Sequence, residues 1–174
     1  MKRMNRCYTA GEYIDKVQKL RALCPTIAVS SDFIVGFPGE QEEDFEKTID
    51  LMEKVIFDAS FSFKYSDRPG TAAVSLDGKV DEAVKLSRLK QLQDLQEHHT
   101  GARNRALVGS VIEVLIEECS MSSSDMAGRT RTNRIVHVAG DSSLIGRCVP
   151  VTITHAYAHS LRGEIVRPGE AGKC

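Results

Sequence analysis

A ten-residue run near the amino terminus constrains the fold of this 174-residue chain more than any other feature. Residues 31–40 read SDFIVGFPGE, so an apolar strand ends in a glycine-containing turn and an acidic, helix-forming segment follows directly. Gly36 and Gly39 allow positive φ or close approach of the backbone, and Pro38 stiffens the turn between them. Such turns bring backbone to a ligand at the carboxyl end of a strand in α/β barrels and doubly wound sheets. A tight turn without a ligand fits the pattern equally well.

The flanking pattern predicts the order helix–strand–helix–strand. A T-x-x-E capping box over residues 9–12 starts the first helix, and Pro25 ends it. Residues 27–37 read as a buried strand interrupted by serines and an aspartate. Residues 42–55 form the second helix, with acids in its first turn, where the helix dipole favours them.

The second strand, residues 57–65, alternates strictly between apolar and polar residues. Its two faces are Phe57, Ala59, Phe61, Phe63 and Tyr65 on one side and Asp58, Ser60, Ser62 and Lys64 on the other. The polar face is either solvated or lines the interior of a barrel that holds a polar ligand. The element order favours a parallel sheet covered by helices, and hence the interior position.

The pattern changes near residue 107. Before it, residues 81–105 predict a long amphipathic helix with Leu86, Leu89, Leu92 and Leu95 as its apolar stripe. After it come short β-rich runs, which indicate a small β-barrel or sandwich. The fold class is therefore α/β followed by all-β, with domains at 1–106 and 107–167 and a tail at 168–174. The β-rich runs are residues 111–117, 127–130, 135–138, 149–154 and 164–166.

Arginine supplies every fixed positive charge between Lys90 and Lys173. Arginine forks suit phosphate and stack on bases, so a small barrel carrying them fits RNA recognition. A solvated surface that happens to prefer arginine is the alternative. The candidate RNA contacts are Arg129, Arg131, Asn133 and Arg134, together with His155, His159, Ser160 and Arg162.

Composition restricts the remaining function classes. The net charge of −1 requires any RNA site to be a local patch. No apolar run approaches the length of a membrane span, and the first residues lack the apolar core of a signal peptide, so we expect no membrane partner and a cytoplasmic location. The five cysteines are widely scattered, without iron–sulfur or zinc spacing, which predicts reduced thiols and no metal site.

Seven stretches together closely resemble the carboxy-terminal half of the radical-SAM methylthiotransferases, up to about residue 167. The arginine at position 68, the 128–134 run and the 160–164 run resemble the subgroup that adds a methylthio group to N6-isopentenyladenosine beside the tRNA anticodon. Enzymes acting on threonylcarbamoyladenosine in tRNA or on a ribosomal protein are the alternatives. The matching stretches are residues 2–9, 31–40, 61–72, 82–96, 104–109, 128–134 and 160–164.

The resemblance implies an architecture and a set of sites. Residues 1–106 would be the last βα units of a partial (β/α) barrel, and residues 107–167 a TRAM domain, a small OB-like barrel that docks tRNA. The cavity for S-adenosyl-L-methionine (SAM) and substrate would lie where the strands end. The implied cofactor contacts are Ser31, Asp32, Gly36, Pro38, Gly39 and Glu40, and the implied substrate-cavity residues are Ser62, Lys64 and Arg68.

The resemblance also implies two 4Fe–4S clusters, one of them held by a C-x-x-x-C-x-x-C loop that this sequence lacks. Without thiolate ligands a cluster cannot be held, so we expect the chain alone to be catalytically inactive. Because Met1 stands where the family usually continues, we expect a truncation, a split gene or a start assigned inside a longer frame. Residues 1–80 should then need a missing amino-terminal segment or partner that completes the barrel. Acting alone, the chain would be an RNA-binding module.

Overall fold

The computed structural model describes residues 7–119 and 125–166, which form two compact units divided between His99 and Thr100. The motif at residues 2–6, the centre of the 119–125 loop and the tail lie outside these ranges. No helix within the described ranges is long and apolar enough to cross a membrane. The helices are α1 Ala10–Leu23, α2 Glu42–Val55 and α3 Glu82–Arg105. The strands are β1 Ser30–Val35, β2 Ala59–Lys64, β3 Val111–Cys119, β4 Asp125–Thr130, β5 Ile135–Ala139, β6 Cys148–Ala156 and β7 Ser160–Ile165.

Helix α1 starts at the predicted capping box. The Thr9 backbone N–H donates to the Glu12 carboxylate at 2.7 Å, and the Glu12 backbone N–H donates to Thr9 Oγ1 at 3.2 Å. The helix ends at Leu23, two residues before Pro25, because the residue preceding a proline disfavours helical backbone. The order helix–strand–helix–strand is confirmed.

Strands β1 and β2 pair in parallel, as predicted, and helices cover one face of the pair. Phe33 and Val35 on that face pack against residues from all three helices. The buried cluster of the first unit consists of Val17, Phe33, Val35, Phe45, Met52, Val55, Phe57 and Leu92.

The predicted position of the polar face of β2 is wrong. The parallel register places Ser60 beside Ser31 and Ser62 beside Phe33, on the face that the helices cover. The aromatic residues of β2 lie on the opposite, open face, where Phe61 is 64% and Phe63 54% exposed. Register with β1 decides the outcome, because the buried residues of β1 fix which face meets the helices.

The apolar stripe predicted for α3 is confirmed at three of its four positions, because Leu92 is buried and Leu89 and Leu95 pack against the same cluster. Leu86 is 51% exposed, whereas Arg88, Leu92 and Gln96, spaced four residues apart, are all buried. The Gln96 side chain donates from Nε2 to the Phe57 carbonyl oxygen at 3.0 Å. Two buried polar side chains, Arg88 and Gln96, thus accompany the leucines on this side of the helix, and both have partners in the first unit.

The second unit is a closed barrel with strand order β3-β4-β5-β7-β6. Pairing is antiparallel except between β5 and β7, which run parallel. Strand β7 lies between β5 and β6 and completes the ring. Every strand has two neighbours, so the sheet has no free edge. The barrel interior is filled by Val114, Ile116, Met126, Val136, Val138, Val151, Ile153 and Leu161.

Candidate functional sites

The first candidate site is a pocket of about 350 Å³ beside the carboxyl ends of β1 and β2. Aromatic rings form much of its wall, with Phe37 and Tyr65 edge to face at 5.2 Å between ring centroids. The lining residues are Ile34, Phe37, Phe63, Lys64, Tyr65, Ser66, Arg68, Thr71 and Ala73. The arrangement combines flat apolar surface with cations, which suits a planar ligand carrying negative charge.

The glycine turn beside this pocket is held from within the protein. Gly36 and Gly39 have φ of +71° and +83°, a conformation in which other residues are strained. The Gly36 N–H donates to Glu40 Oε1 at 2.9 Å, and the same oxygen accepts from Arg88 Nη1 at 2.8 Å. Arg88 Nη2 reaches the Glu42 carboxylate at 2.8 Å. Arg88 is only 5% exposed, so this ion pair lies inside the protein and stabilises the turn.

The six residues predicted to contact the cofactor divide into three groups. Ser31 lies on the helix-covered face, Asp32 lies exposed on the open face beside Phe61, and the others form the turn. Within the turn, Gly36 and Pro38 are buried and Gly39 donates its N–H to the Gly78 carbonyl oxygen at 2.7 Å. The Glu40 carboxylate accepts hydrogen bonds from Gly36 and Arg88 and so stabilises the turn.

The predicted substrate-cavity residues also separate. Lys64 and Arg68 line the pocket, whereas Ser62 does not and faces the helices beside Ser60. The Lys64 ammonium pairs with the Glu82 carboxylate. Within the described parts of the chain the Arg68 guanidinium forms no ion pair, so its charge is available at the pocket.

The second candidate site is one end of the barrel, where two turns meet. Residues 131–134 connect β4 to β5, and residues 157–159 connect β6 to β7. Since Ile135 pairs with Ser160, the two turns lie side by side. The side chain of Asn104, 2% exposed, joins them: Nδ2 donates to the Tyr157 carbonyl oxygen at 3.1 Å, and Oδ1 accepts from Arg134 Nε at 3.1 Å.

The predicted arginines differ in the number of side-chain contacts that each makes within the protein. Arg134 also donates to Thr132 Oγ1 at 2.8 Å, so its guanidinium stabilises the turns from inside. Arg129 pairs with Glu117 at 3.1 Å and donates to Asn133 Oδ1 at 3.0 Å. Arg131, whose side chain is 88% exposed, makes a single ion pair with Glu113 at 3.1 Å. An exposed ion pair contributes at most about 1 kcal/mol to stability. Of the three arginines, Arg131 is therefore the one whose partner, Glu113, a phosphate can displace most easily.

The second predicted group does not lie in one place. His159 and Ser160 belong to the barrel end with Arg131 and Asn133, whereas Arg162 and His155 lie on the barrel wall. Arg162 is in register with His155 on β6 and with His137 on β5, and its Nη1 donates to Asp125 at 2.9 Å. The wall therefore carries a row of two histidines around one arginine.

Sequence reasoning missed Arg88, Asn104, Tyr157 and His137. A signal existed for Arg88, which lies four residues before Leu92 and therefore on the same helix face. A second signal existed for His137, which alternates with the apolar residues Val136 and Val138 and so faces outward. Asn104 and Tyr157 had no local signal, because their roles depend on contacts between distant segments.

Comparison with known proteins finds relatives for nearly the whole chain. Residues 105–166 match the model of the TRAM domain. Over 164 residues the chain is 54% identical to a tRNA-2-methylthio-N(6)-dimethylallyladenosine synthase of Syntrophus aciditrophicus, covering 94% of this chain and 36% of that protein. The synthases of Syntrophobacter fumaroxidans and Methylobacillus flagellatus are 48% and 52% identical over 98% and 94% of the chain, which covers 38% and 37% of their lengths.

The chain thus spans little more than a third of the length of these curated relatives. The similarity is not confined to the TRAM domain, because the aligned stretches cover at least 94% of the chain and so include most of the first unit. Over its aligned length the chain is similar to these synthases, and its residues 105–166 are a TRAM domain.

Proposed function

We propose that this chain is part of a tRNA methylthiotransferase that adds a methylthio group to N6-isopentenyladenosine next to the anticodon. Its role is to dock tRNA and to supply part of the wall of the SAM and substrate cavity. The observation that carries the proposal is the end of the TRAM barrel, where Arg131, Asn133 and His159 converge on two adjoining turns. The similarity to the synthases over nearly the whole chain supports the choice of reaction.

The first unit, in this proposal, is the last part of the radical-SAM barrel, with its boundary near residue 106. Two features support it: β1 and β2 are parallel, and the face opposite the helices carries exposed Ile34, Phe61 and Phe63. In a (β/α) barrel that face points inward, and ligands approach at the carboxyl ends of the strands. The pocket with Lys64 and Arg68 lies at that edge.

The iron–sulfur clusters do not fit the residues of this chain. Within the described ranges no group of three or more histidine, cysteine or acidic side chains could hold a metal ion. Cys7, Cys24, Cys119 and Cys148 are exposed free thiols, far apart along the chain. Cluster ligands would have to come from outside these 174 residues, so we propose that the chain alone is inactive and derive no chemical step from it.

SAM fits the strand-edge pocket in part. Its adenine requires a flat apolar surface, which Phe37 and Ile34 offer, and its carboxylate requires a cation, which Arg68 offers. When bound to a cluster in the complete enzyme, SAM supplies the radical chemistry. The residues of this chain that line the pocket would bind and orient it, and the turn at Gly36 and Gly39 would hold Phe37 in the pocket wall.

The test is binding of a tRNA anticodon stem-loop to the full 174-residue chain, measured by fluorescence anisotropy over a range of salt concentrations. We expect Arg131→Ala to weaken binding and to reduce the slope of log affinity against log salt by about 1. Arg147→Ala is the matched control: it removes the same charge from the loop joining β5 to β6, which leaves from the opposite strand ends. Equal effects of the two substitutions would contradict the assignment of this barrel end.

A stand-alone RNA-binding module is the second candidate function. The closure of the barrel within the second unit favours it, because the RNA-facing turns need no strand from elsewhere. The two candidates separate when a segment carrying C-x-x-x-C-x-x-C is supplied together with SAM and a reductant. Formation of methylthiolated tRNA that depends on this chain supports the enzyme, whereas RNA binding without any such activity supports the module. The DNA upstream of the Met1 codon shows whether such a segment is encoded in frame.

A further inference from the structure

Tyr157 is an exposed aromatic residue at the proposed RNA-docking end of the barrel. It lies in the turn between β6 and β7 and is 53% exposed. Tyrosine combines a flat apolar ring with a polar hydroxyl group, so an exposed tyrosine can bind a flat apolar partner. The rings at Phe33 and Phe57, by contrast, are buried in the first unit.

The backbone that carries Tyr157 is held on both sides. Its N–H donates to the Ser160 carbonyl oxygen at 2.8 Å, and its own carbonyl oxygen accepts from the buried Asn104 side chain at 3.1 Å. A ring on a fixed backbone loses little conformational entropy when a ligand stacks on it. The same Asn104 amide also holds Arg134, so the position of the neighbouring turn is fixed relative to this one.

The two turns at this end of the barrel also carry cationic and hydrogen-bonding side chains. The adjoining turn presents Arg131, and His159 follows two residues after Tyr157. Single-stranded nucleic acids are bound by aromatic side chains on which bases stack, interleaved with cations that contact the phosphates. A protein partner would also favour an exposed tyrosine, but the cluster of cations beside it favours a polyanion.

We infer that Tyr157 is a stacking platform for an unpaired RNA base, with Arg131 contacting the adjacent phosphate. The inference rests on the proposed RNA-docking role and narrows it, because it requires an unpaired base rather than a duplex. Stacking uses the ring face and not the hydroxyl group, so phenylalanine should replace tyrosine here.

The first experiment measures the affinity of a short oligouridylate for the full chain. Tyr157→Ala should weaken binding roughly 5- to 150-fold, the range expected for loss of one stacked base. Tyr157→Phe should bind like the unsubstituted chain. Neither substitution should change the salt slope, since no phosphate contact is lost. Tyr157→Ala binding as tightly as the unsubstituted chain would overturn the inference.

The second experiment uses fluorescence, because the chain contains no tryptophan. In a Tyr157→Trp variant the new indole is the only one, and oligouridylate should quench its emission on stacking. Heparin, a polyanion without bases, should bind without that quenching. Ile145→Trp is the matched control: Ile145 is 46% exposed in the loop that joins β5 to β6, at the opposite strand ends, and we expect no quenching there.

The outcomes separate this inference from the proposed function. If the unsubstituted chain binds neither oligouridylate nor the anticodon stem-loop, RNA docking itself is wrong. If it binds both, and quenching in Tyr157→Trp is no stronger with oligouridylate than with heparin, then docking stands and only the stacking role is wrong. Thermal unfolding of each variant, unchanged from the unsubstituted chain, shows that the effects on binding do not arise from misfolding.

Discussion

The two units differ in whether their sheets have free edges. In the barrel, every strand pairs on both sides, and the apolar interior is sealed by the sheet itself. Among the described residues of the first unit, β1 and β2 pair only with each other, and Phe61 and Phe63 lie exposed on the face away from the helices. A two-stranded sheet in water is marginal unless something packs against it, and here helices cover only one face. The barrel is thus complete in itself, whereas the first unit has a face that remains open.

The largest effect on stability that follows from this comparison is expected when the buried ring of Phe57 is removed. Phe57 is fully buried in the first unit, and Phe57→Ala should lower its free energy of unfolding by about 3–5 kcal/mol. Hydrogen exchange of the barrel amides should stay unchanged, because the barrel has a buried cluster of its own. The control is Phe61→Ala, which removes the same ring from an exposed position and should cost less than about 0.5 kcal/mol. Loss of barrel protection in Phe57→Ala would show that the units unfold together.

Breaking the ion pair between Arg88 and Glu40 should have the next largest effect, and again on the first unit alone. Arg88→Met leaves the largely buried Glu40 carboxylate without its cation and should cost about 3 kcal/mol. The double variant Arg88→Met with Glu40→Gln should recover part of that loss, since no uncompensated charge remains. Denaturant unfolding measures both. A double variant no more stable than Arg88→Met would mean that the arginine acts through packing instead.

The barrel has a corresponding weak point at Gly163. A Cβ at this position would lie 2.3 Å from Val151 Cγ1 and 2.6 Å from the Thr152 carbonyl oxygen, and the backbone atom cannot move aside. Gly163→Ala should therefore destabilise the barrel by about 1–3 kcal/mol. Gly11→Ala adds the same methyl group to α1, where the nearest atom is 3.9 Å away, and should be neutral or slightly stabilising. Calorimetry that finds similar melting temperatures for the two variants would contradict this account.

The smallest expected effect is at the start of α1. The hydrogen bond from the Thr9 backbone lowers the pKa of Glu12 in the folded chain. The contribution of this hydrogen bond to stability is therefore present above the ordinary pKa of a glutamate. It is lost as the pH falls through the lowered pKa of Glu12. In Glu12→Gln this part of the acid dependence should disappear, while barrel stability keeps its own pH profile. Thermal melts at pH 7 and below pH ~4 measure the difference, and identical acid dependence in both proteins would exclude the effect.

Local signals predicted the elements well. The capping box at Thr9 and Glu12, the bounds of α2 and the first four β-rich runs of the second unit follow from spacing over a few residues. The fifth run, residues 164–166, caught only the end of β7, which begins at Ser160. Closure of the barrel could not be derived in the same way, because the parallel pairing of β5 with β7 joins segments that no periodicity links. The sequence alone therefore left barrel and sandwich open.

The sites were harder to predict than the elements. Alternation separated the two faces within β2, but Phe57, predicted on the face of Phe61 and Phe63, precedes the strand and is buried in the helix-covered cluster. Only the register with β1 determined that the serines meet the helices. Arginine at position 134 looked equivalent to arginine at position 131, and the difference arises from Asn104, thirty residues earlier in the chain. Charge patterns locate a candidate surface, whereas long-range hydrogen bonds decide which of its side chains are available.

The position of β7 has a consequence for synthesis of the chain. This strand is the last of the barrel to be made, yet it fills the gap between β5 and β6. Until residue 165 has left the ribosome, the four earlier strands can form only an open sheet whose two outer strands, β5 and β6, each lack one partner. Tyr157 and His159 lie immediately before β7. The nascent chain therefore gains the turn between β6 and β7 and its closed barrel in the same final step.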